Sequence, residues 1–167
     1  MVLDGHIHID GNKATGDKCR LMKNMRKAGV DGGILLSIPP SGHLVNPWAY
    51  EGIDFSSRGR LDNLMGWVEG EPDLYPFYWI DPMEEDAVEQ VKLAENYGVY
   101  GYKIICNKFY PSVPKAMEVY AYIAGFNKPI LFHSGILWDG TASAKYNRPA
   151  GFEPLLEIKG LRFALAH

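Results

Sequence analysis

The sequence predicts an α/β protein organised around a parallel sheet, and three observations lead there. Short apolar runs of strand length alternate with stretches of helical periodicity along the whole chain, the pattern of consecutive βα units. Four of the five histidines fall at or near the ends of such runs, and the carboxyl ends of parallel strands are where α/β sheets bind ligands. A chain of 167 residues with 47% hydrophobic content can bury one ordinary core, so a single domain over 1–167 is expected.

Taken in order, the first strand is expected near 2–8, where Leu3, Ile7 and Ile9 alternate with His6 and His8. A helix follows over about 17–28, with Leu21, Met25 and Ala28 at buried-stripe spacing and Gly29 as its stop. The second and third strands are expected near 32–38 and 76–80. The next helix should open at Asp81-Pro82-Met83-Glu84, with Asp81 as cap, Pro82 in the first helical position and Glu84 reaching back. Ala87, Val91 and Ala94 then face one way. A strand near 100–105 precedes a helix after Ser112-Val113-Pro114 that presents Met117, Tyr120, Ala121 and Ala124. Strands near 129–133 and 161–167 flank a shorter helix after Gly151-Phe152-Glu153-Pro154. The connections 39–56 and 134–150 exceed the usual short loops, and long ordered loops commonly carry function.

Charge and composition narrow the partners. A net charge of −3 with scattered Lys and Arg leaves no footprint for nucleic acid or an anionic membrane, so a small-molecule substrate is expected. Met1 leads directly into Val2-Leu3-Asp4, and no apolar run approaches the roughly 20 residues of a spanning helix, which predicts a cytoplasmic protein. Cys19 and Cys106 lack a Cys-x-x-Cys or Cys-x-x-His neighbour and read as ordinary thiols.

The histidines carry the chemistry. His6 and His8, at i and i+2 of one strand, project from the same face and make a two-nitrogen clamp suited to zinc or another borderline divalent ion. Alone, the pair is equally well read as solvated or hydrogen-bonded histidines. His133 closes Pro129-Ile130-Leu131-Phe132-His133, and His167 closes Arg162-Phe163-Ala164-Leu165-Ala166-His167. Either one alone would be a satisfied core histidine, whereas four rings at carboxyl strand ends can converge and favour metal. His43, after Pro39-Pro40, is expected on the surface or against substrate. Lys103 shares a strand face with Gly101 and Ile105, where an unpaired ammonium is costly; snorkelling to solvent is favoured over a ligand role. In the loop after His133, Trp138 and Arg148 are candidate substrate contacts, Arg148 as a carboxylate clamp or simply a surface arginine.

These residues resemble the amidohydrolase superfamily, specifically its amidohydrolase-related (amidohydrolase 2) group of metal-dependent hydrolases on a (β/α)₈ TIM barrel. The likeness lies in Asp4-Gly5-His6-Ile7-His8, Gly101-Tyr102-Lys103-Ile104, Leu131-Phe132-His133-Ser134-Gly135 and Phe163-Ala164-Leu165-Ala166-His167. It implies that the chain supplies about the first six βα units, that His6 and His8 bind a first metal, and that His133 and His167 complete the site or bind a second. Lys103 matches the position that some members use as a carboxylated, metal-bridging lysine. One or two divalent ions, zinc foremost, are thus implied. The group's strand-eight aspartate, its proton shuttle, has no counterpart, so two strands and their helices are expected to be missing or supplied by a separate chain. An open six-stranded barrel exposes two strand edges, which favours self-association.

The implied activity is hydrolysis of an amide, lactone or ester by metal-activated water. A decarboxylase or hydratase of the same group would use the same histidines. A phosphoesterase of the polymerase-and-histidinol-phosphatase type also starts Asp-x-His-x-His, but Leu36-Ser37-Ile38-Pro39-Pro40 lacks the further ligands expected after its second strand. A barrel that holds metal without catalysis, or an inactive fragment, is the alternative from another class.

Overall fold

All six expected strands form. A computed structural model describes residues 1–9, 17–43, 50, 52–137 and 142–167. In chain order the elements are β1 (Leu3–His8), α1 (Lys18–Lys27), β2 (Gly32–Leu36), α2 (Ser57–Val68), β3 (Leu74–Trp79), α3 (Ala87–Tyr97), β4 (Gly101–Ile104), α4 (Pro114–Gly125), β5 (Pro129–His133) and β6 (Arg162–Ala166). Short 3₁₀ segments occupy Ser41–His43, Ala144–Tyr146 and Pro149–Glu157. The strands form one sheet in the order β1-β2-β3-β4-β5-β6, the arrangement of six successive units of a (β/α)₈ barrel. Among the described residues, no helix is long and apolar enough to cross a membrane.

The chain divides into two compact units, residues 1–79 with 93–100, and residues 80–92 with 101–167. In the first, β2 lies between β1 and β3, parallel to both, with Asp4 opposite Gly33 and Leu36 opposite Phe77. Glycine is required where β2 begins: a Cβ on Gly32 would lie 2.1 Å from the Asp73 carbonyl oxygen, and one on Gly33 would lie 2.4 Å from that of Asp4. Helix α1 is capped by Asp17, whose side chain accepts the Arg20 N–H, and Gly29 beyond its end takes φ +71°. Its buried residues are Met22 and Met25; the expected Leu21 and Ala28 are half-buried and exposed, so the stripe is rotated. Helix α2, capped by Ser56, turns Leu61, Leu64, Trp67 and Arg60 inward.

In the second unit, β4, β5 and β6 are parallel, with Lys103 opposite Leu131 and His133 opposite Ala166. The expected capping box at Asp81 does not form. Asp81 Oδ1 instead accepts the Met83 N–H at 2.9 Å in a turn, and α3 begins only at Ala87. Glu84, which the box would have turned back toward Asp81, instead accepts from Gln90 Nε2 at 2.5 Å, as does Asp86 at 2.8 Å. Ala87, Val91 and Ala94 are buried as expected. On α4 the buried residues are Ala116, Val119, Tyr120 and Ile123; of the expected set only Tyr120 is among them. Phe132 anchors this core, its ring 5.2 Å from Tyr120 and 5.1 Å from Phe152. Pro154 lacks an N–H to donate, consistent with 3₁₀ rather than α geometry over Pro149–Glu157.

Candidate functional site

A local irregularity aims the histidine pair. Between Asp4 and Ile7 the register of β1 against β2 slips by one residue, and Asp4 Oδ1 accepts the His6 N–H at 2.9 Å. Such bulges redirect side chains beside functional sites. Ile7 and Ile9 are buried, while Leu3, expected with them, is exposed. His6 and His8 emerge together with their Nε2 atoms 3.0 Å apart and ring centroids 4.8 Å apart. Two nitrogens bound to tetrahedral zinc at about 2.0–2.1 Å would stand roughly 3.3 Å apart, so the pair fits a shared ion with a shift of tenths of an ångström. The same spacing serves an imidazole–imidazole hydrogen bond.

The same unit adds two rings. Trp79, the last residue of β3, lies edge-on to His8 at 5.8 Å and to His43 at 5.9 Å. His43 is half-buried in the 3₁₀ turn after β2, so the surface-or-substrate expectation narrows to a ring held against Trp79. The Trp79 main chain is fixed on both sides: its N–H donates to Ser37 Oγ at 2.9 Å, and its carbonyl accepts from Arg60 Nη1 at 2.7 Å. Arg60 also donates to the Tyr78 hydroxyl and covers that ring at 4.6 Å. Sequence reasoning missed Trp79; it is one of four aromatic residues in Leu74-Tyr75-Pro76-Phe77-Tyr78-Trp79, and nothing in that run singles it out.

In the second unit, His133 is buried at the end of β5 and His167 is exposed after β6, with ring centroids 5.1 Å apart. The chain after β5 is tied down where Ser134 N–H donates to the Ala166 carbonyl at 3.0 Å and Gly135 N–H to that of Asn147 at 2.8 Å. Asn147 Nδ2 in turn donates to the Cys106 carbonyl at 2.8 Å, linking this segment to the one after β4.

Lys103 does not snorkel. It is 0% exposed, because β4 is buried on both faces, and its Nζ has no hydrogen-bond partner among the described residues. Burial pulls its ammonium down to about 7, with Cys106 acting in the opposite sense. Burial likewise pushes the Cys106 thiol up to about 12 and raises Tyr120 well above the ordinary phenol range. Arg148 is exposed at the start of Pro149–Glu157, its carbonyl accepting the Gly151 N–H at 2.8 Å. Trp138 lies outside the described residues. Among the described residues, no group of three or more His, Cys, Asp or Glu is placed to hold a metal, so the ligand sets in view are pairs.

No model of a known protein family matches the sequence, and no curated protein matches it. Solved structures do. A dihydrodipicolinate synthase from Agrobacterium tumefaciens matches with a TM-score of 0.58 at 14% identity, over 98% of this chain and 54% of that one. A sialic acid aldolase from Ruminococcus gnavus matches at 0.53 and 17% identity, over 96% and 54%. A probable 2-pyrone-4,6-dicarboxylic acid hydrolase from Acinetobacter baumannii, with citric acid bound, matches at 0.53 and 10% identity, over 80% and 49%. The fold is that of a TIM barrel. At these identities the likeness concerns the fold alone, and the chain spans about half the length of the structures it matches.

Proposed function

We propose that this chain is part of a metal-dependent hydrolase that cleaves a C–N or C–O bond of a small molecule. The observation that carries the reading is the His6–His8 pair, two imidazole nitrogens 3.0 Å apart at the carboxyl end of β1. His133 and His167, on the carboxyl ends of β5 and β6, are a second pair of candidate ligands for one or two divalent ions, zinc foremost. When bound, such an ion lowers the pKa of its water toward about 7 and polarises a carbonyl.

The residues of this chain supply placement. Asp4 and the bulge set the orientation of His6, and β1 holds His8 beside it. Burial lowers the Lys103 ammonium to about 7, and its neutral amine would be able to add carbon dioxide with loss of a proton, giving a carbamate of the kind some members of the resembling group use as a ligand. A lactone or ester of a small carboxylic acid is the substrate class favoured, since one matching structure is described as a dicarboxylic acid hydrolase holding citric acid.

Metal analysis of the purified protein after zinc loading tests the reading. About one or two equivalents are expected, falling by at least half in His6→Ala and in His133→Ala. Less than about a quarter equivalent, or equal content in the variants, would overturn it.

A further inference from the structure

The connections that follow β4 and β5 meet beyond the strand ends, and the side chains that meet there are aromatic and cationic. Tyr110 and Tyr146 pack edge-to-face with ring centroids 4.9 Å apart, and Lys145 places its Nζ over the Tyr146 ring at 4.8 Å. Tyr110 is 52% exposed, Tyr146 is half-buried and Lys145 is exposed, so the cluster lies open to solvent.

The backbone beneath these side chains is tied down. The Tyr110 carbonyl accepts the Val113 N–H at 3.1 Å, and Tyr146 N–H donates to the Ser143 carbonyl at 2.9 Å. Asn147, next to Tyr146, joins the two connections: its Nδ2 donates to the Cys106 carbonyl at 2.8 Å, and its carbonyl accepts the Gly135 N–H at 2.8 Å. Gly135 stands two residues beyond His133, so the cluster belongs to the carboxyl end of these strands, where barrels bind their ligands.

Charge is the second observation. The whole chain carries −3, yet residues 105–117, 134–137 and 142–152 hold Lys108, Lys115, Lys145 and Arg148 and neither Asp nor Glu. Lys108, Lys145 and Arg148 are exposed, and no carboxylate among the described residues forms an ion pair with them. Stapling of two loops would explain the ring pair but not the unbalanced charge around it. A flat apolar surface beside an excess of cations suits a ligand that is itself flat and negatively charged.

We propose that Tyr110, Tyr146 and Lys145 form a binding site for an aromatic carboxylate, its ring packed on the exposed part of Tyr110 and its carboxylate paired with Lys145. Lys145 Nζ is no farther from the centre of the Tyr110 ring than the sum of the two distances above, a span within reach of a two-ring acid. The site needs no metal, so its failure would leave the His6–His8 reading untouched.

The probe is 2-naphthoate, titrated by calorimetry into the purified protein with and without added zinc, beside uncharged 2-naphthamide and non-aromatic cyclohexanecarboxylate. Naphthoate is expected to bind the metal-free protein, and both controls to bind at least about 5-fold more weakly. Lys145→Gln and Tyr110→Leu should each weaken naphthoate about 3- to 10-fold, whereas Lys27→Gln, on α1, should not. Should Tyr110→Leu not fold, Lys145→Gln carries the test, since its side chain is exposed. No binding at millimolar naphthoate, equal affinity for naphthamide, equal affinity in either folded variant, a matching loss in Lys27→Gln, or binding seen only after zinc is added would each overturn the proposal.

Discussion

Replacing Lys103 with methionine should stabilise the protein at neutral pH, by an amount set by pH. In the folded chain burial brings the ammonium to about 7, against 10.5 for an ordinary lysine. Between these values the unfolded chain holds a proton that the folded chain has lost. Stability therefore rises with pH across this window, by about 1.4 kcal/mol per unit. A depressed pKa on a base is a destabilising contribution: it is complete below about 7 and gone above about 10.5. At pH 7, where the folded amine is half protonated, the cost is on the order of 4 kcal/mol. Methionine keeps an unbranched stem of similar reach and carries no charge. Urea unfolding in metal-free buffer purged of carbon dioxide should show Lys103→Met ahead by roughly that amount at pH 7, and by less than about 1 kcal/mol at pH 10. Cys106 and Tyr120 occur in both proteins, so most of their titration cancels in the difference. A variant less stable than its parent at pH 7, or a difference that does not change between pH 7 and pH 10, would refute the reasoning.

Two structural predictions concern the framework of the His6–His8 site. Gly33→Ala puts a methyl 2.4 Å from the Asp4 carbonyl oxygen and 2.8 Å from Ile7 Cδ1, so it should cost about 1–3 kcal/mol in urea unfolding and weaken zinc binding by displacing the bulge. Arg60→Met removes the donors to the Trp79 carbonyl and the Tyr78 hydroxyl, leaving the carbonyl buried without its side-chain donor; a loss of about 1–3 kcal/mol is expected, with a red shift of tryptophan emission as Trp79 loosens.

The strands were legible because each is a short apolar run with clear boundaries, and all six lie where periodicity puts them. Helix phase was less so. In Pro114–Gly125 nearly every position but Lys115 and Glu118 is apolar or aromatic, so the stripe through Val119 and Ile123 and the one through Met117 and Ala124 are both plausible from sequence. At Asp81 a sound capping signal lost to competing partners: Asp81 takes the Met83 N–H in a turn, and Glu84 accepts from Gln90 rather than reaching back. The histidine pair was legible because i, i+2 spacing acts within one strand. Trp79 was not, because what distinguishes it comes from Ser37 and Arg60, brought to it only by folding.

Lys103 shows the same limit from the other side. Alternation along a strand separates a wet face from a dry one only when one face meets water. Parallel sheets covered on both sides have no wet face, so either parity is buried. All four residues of β4 are buried, and Lys103 is closed in regardless of parity. With no hydrogen-bond acceptor among the described residues, nothing offsets that burial, and the ammonium is pulled down from 10.5 to about 7.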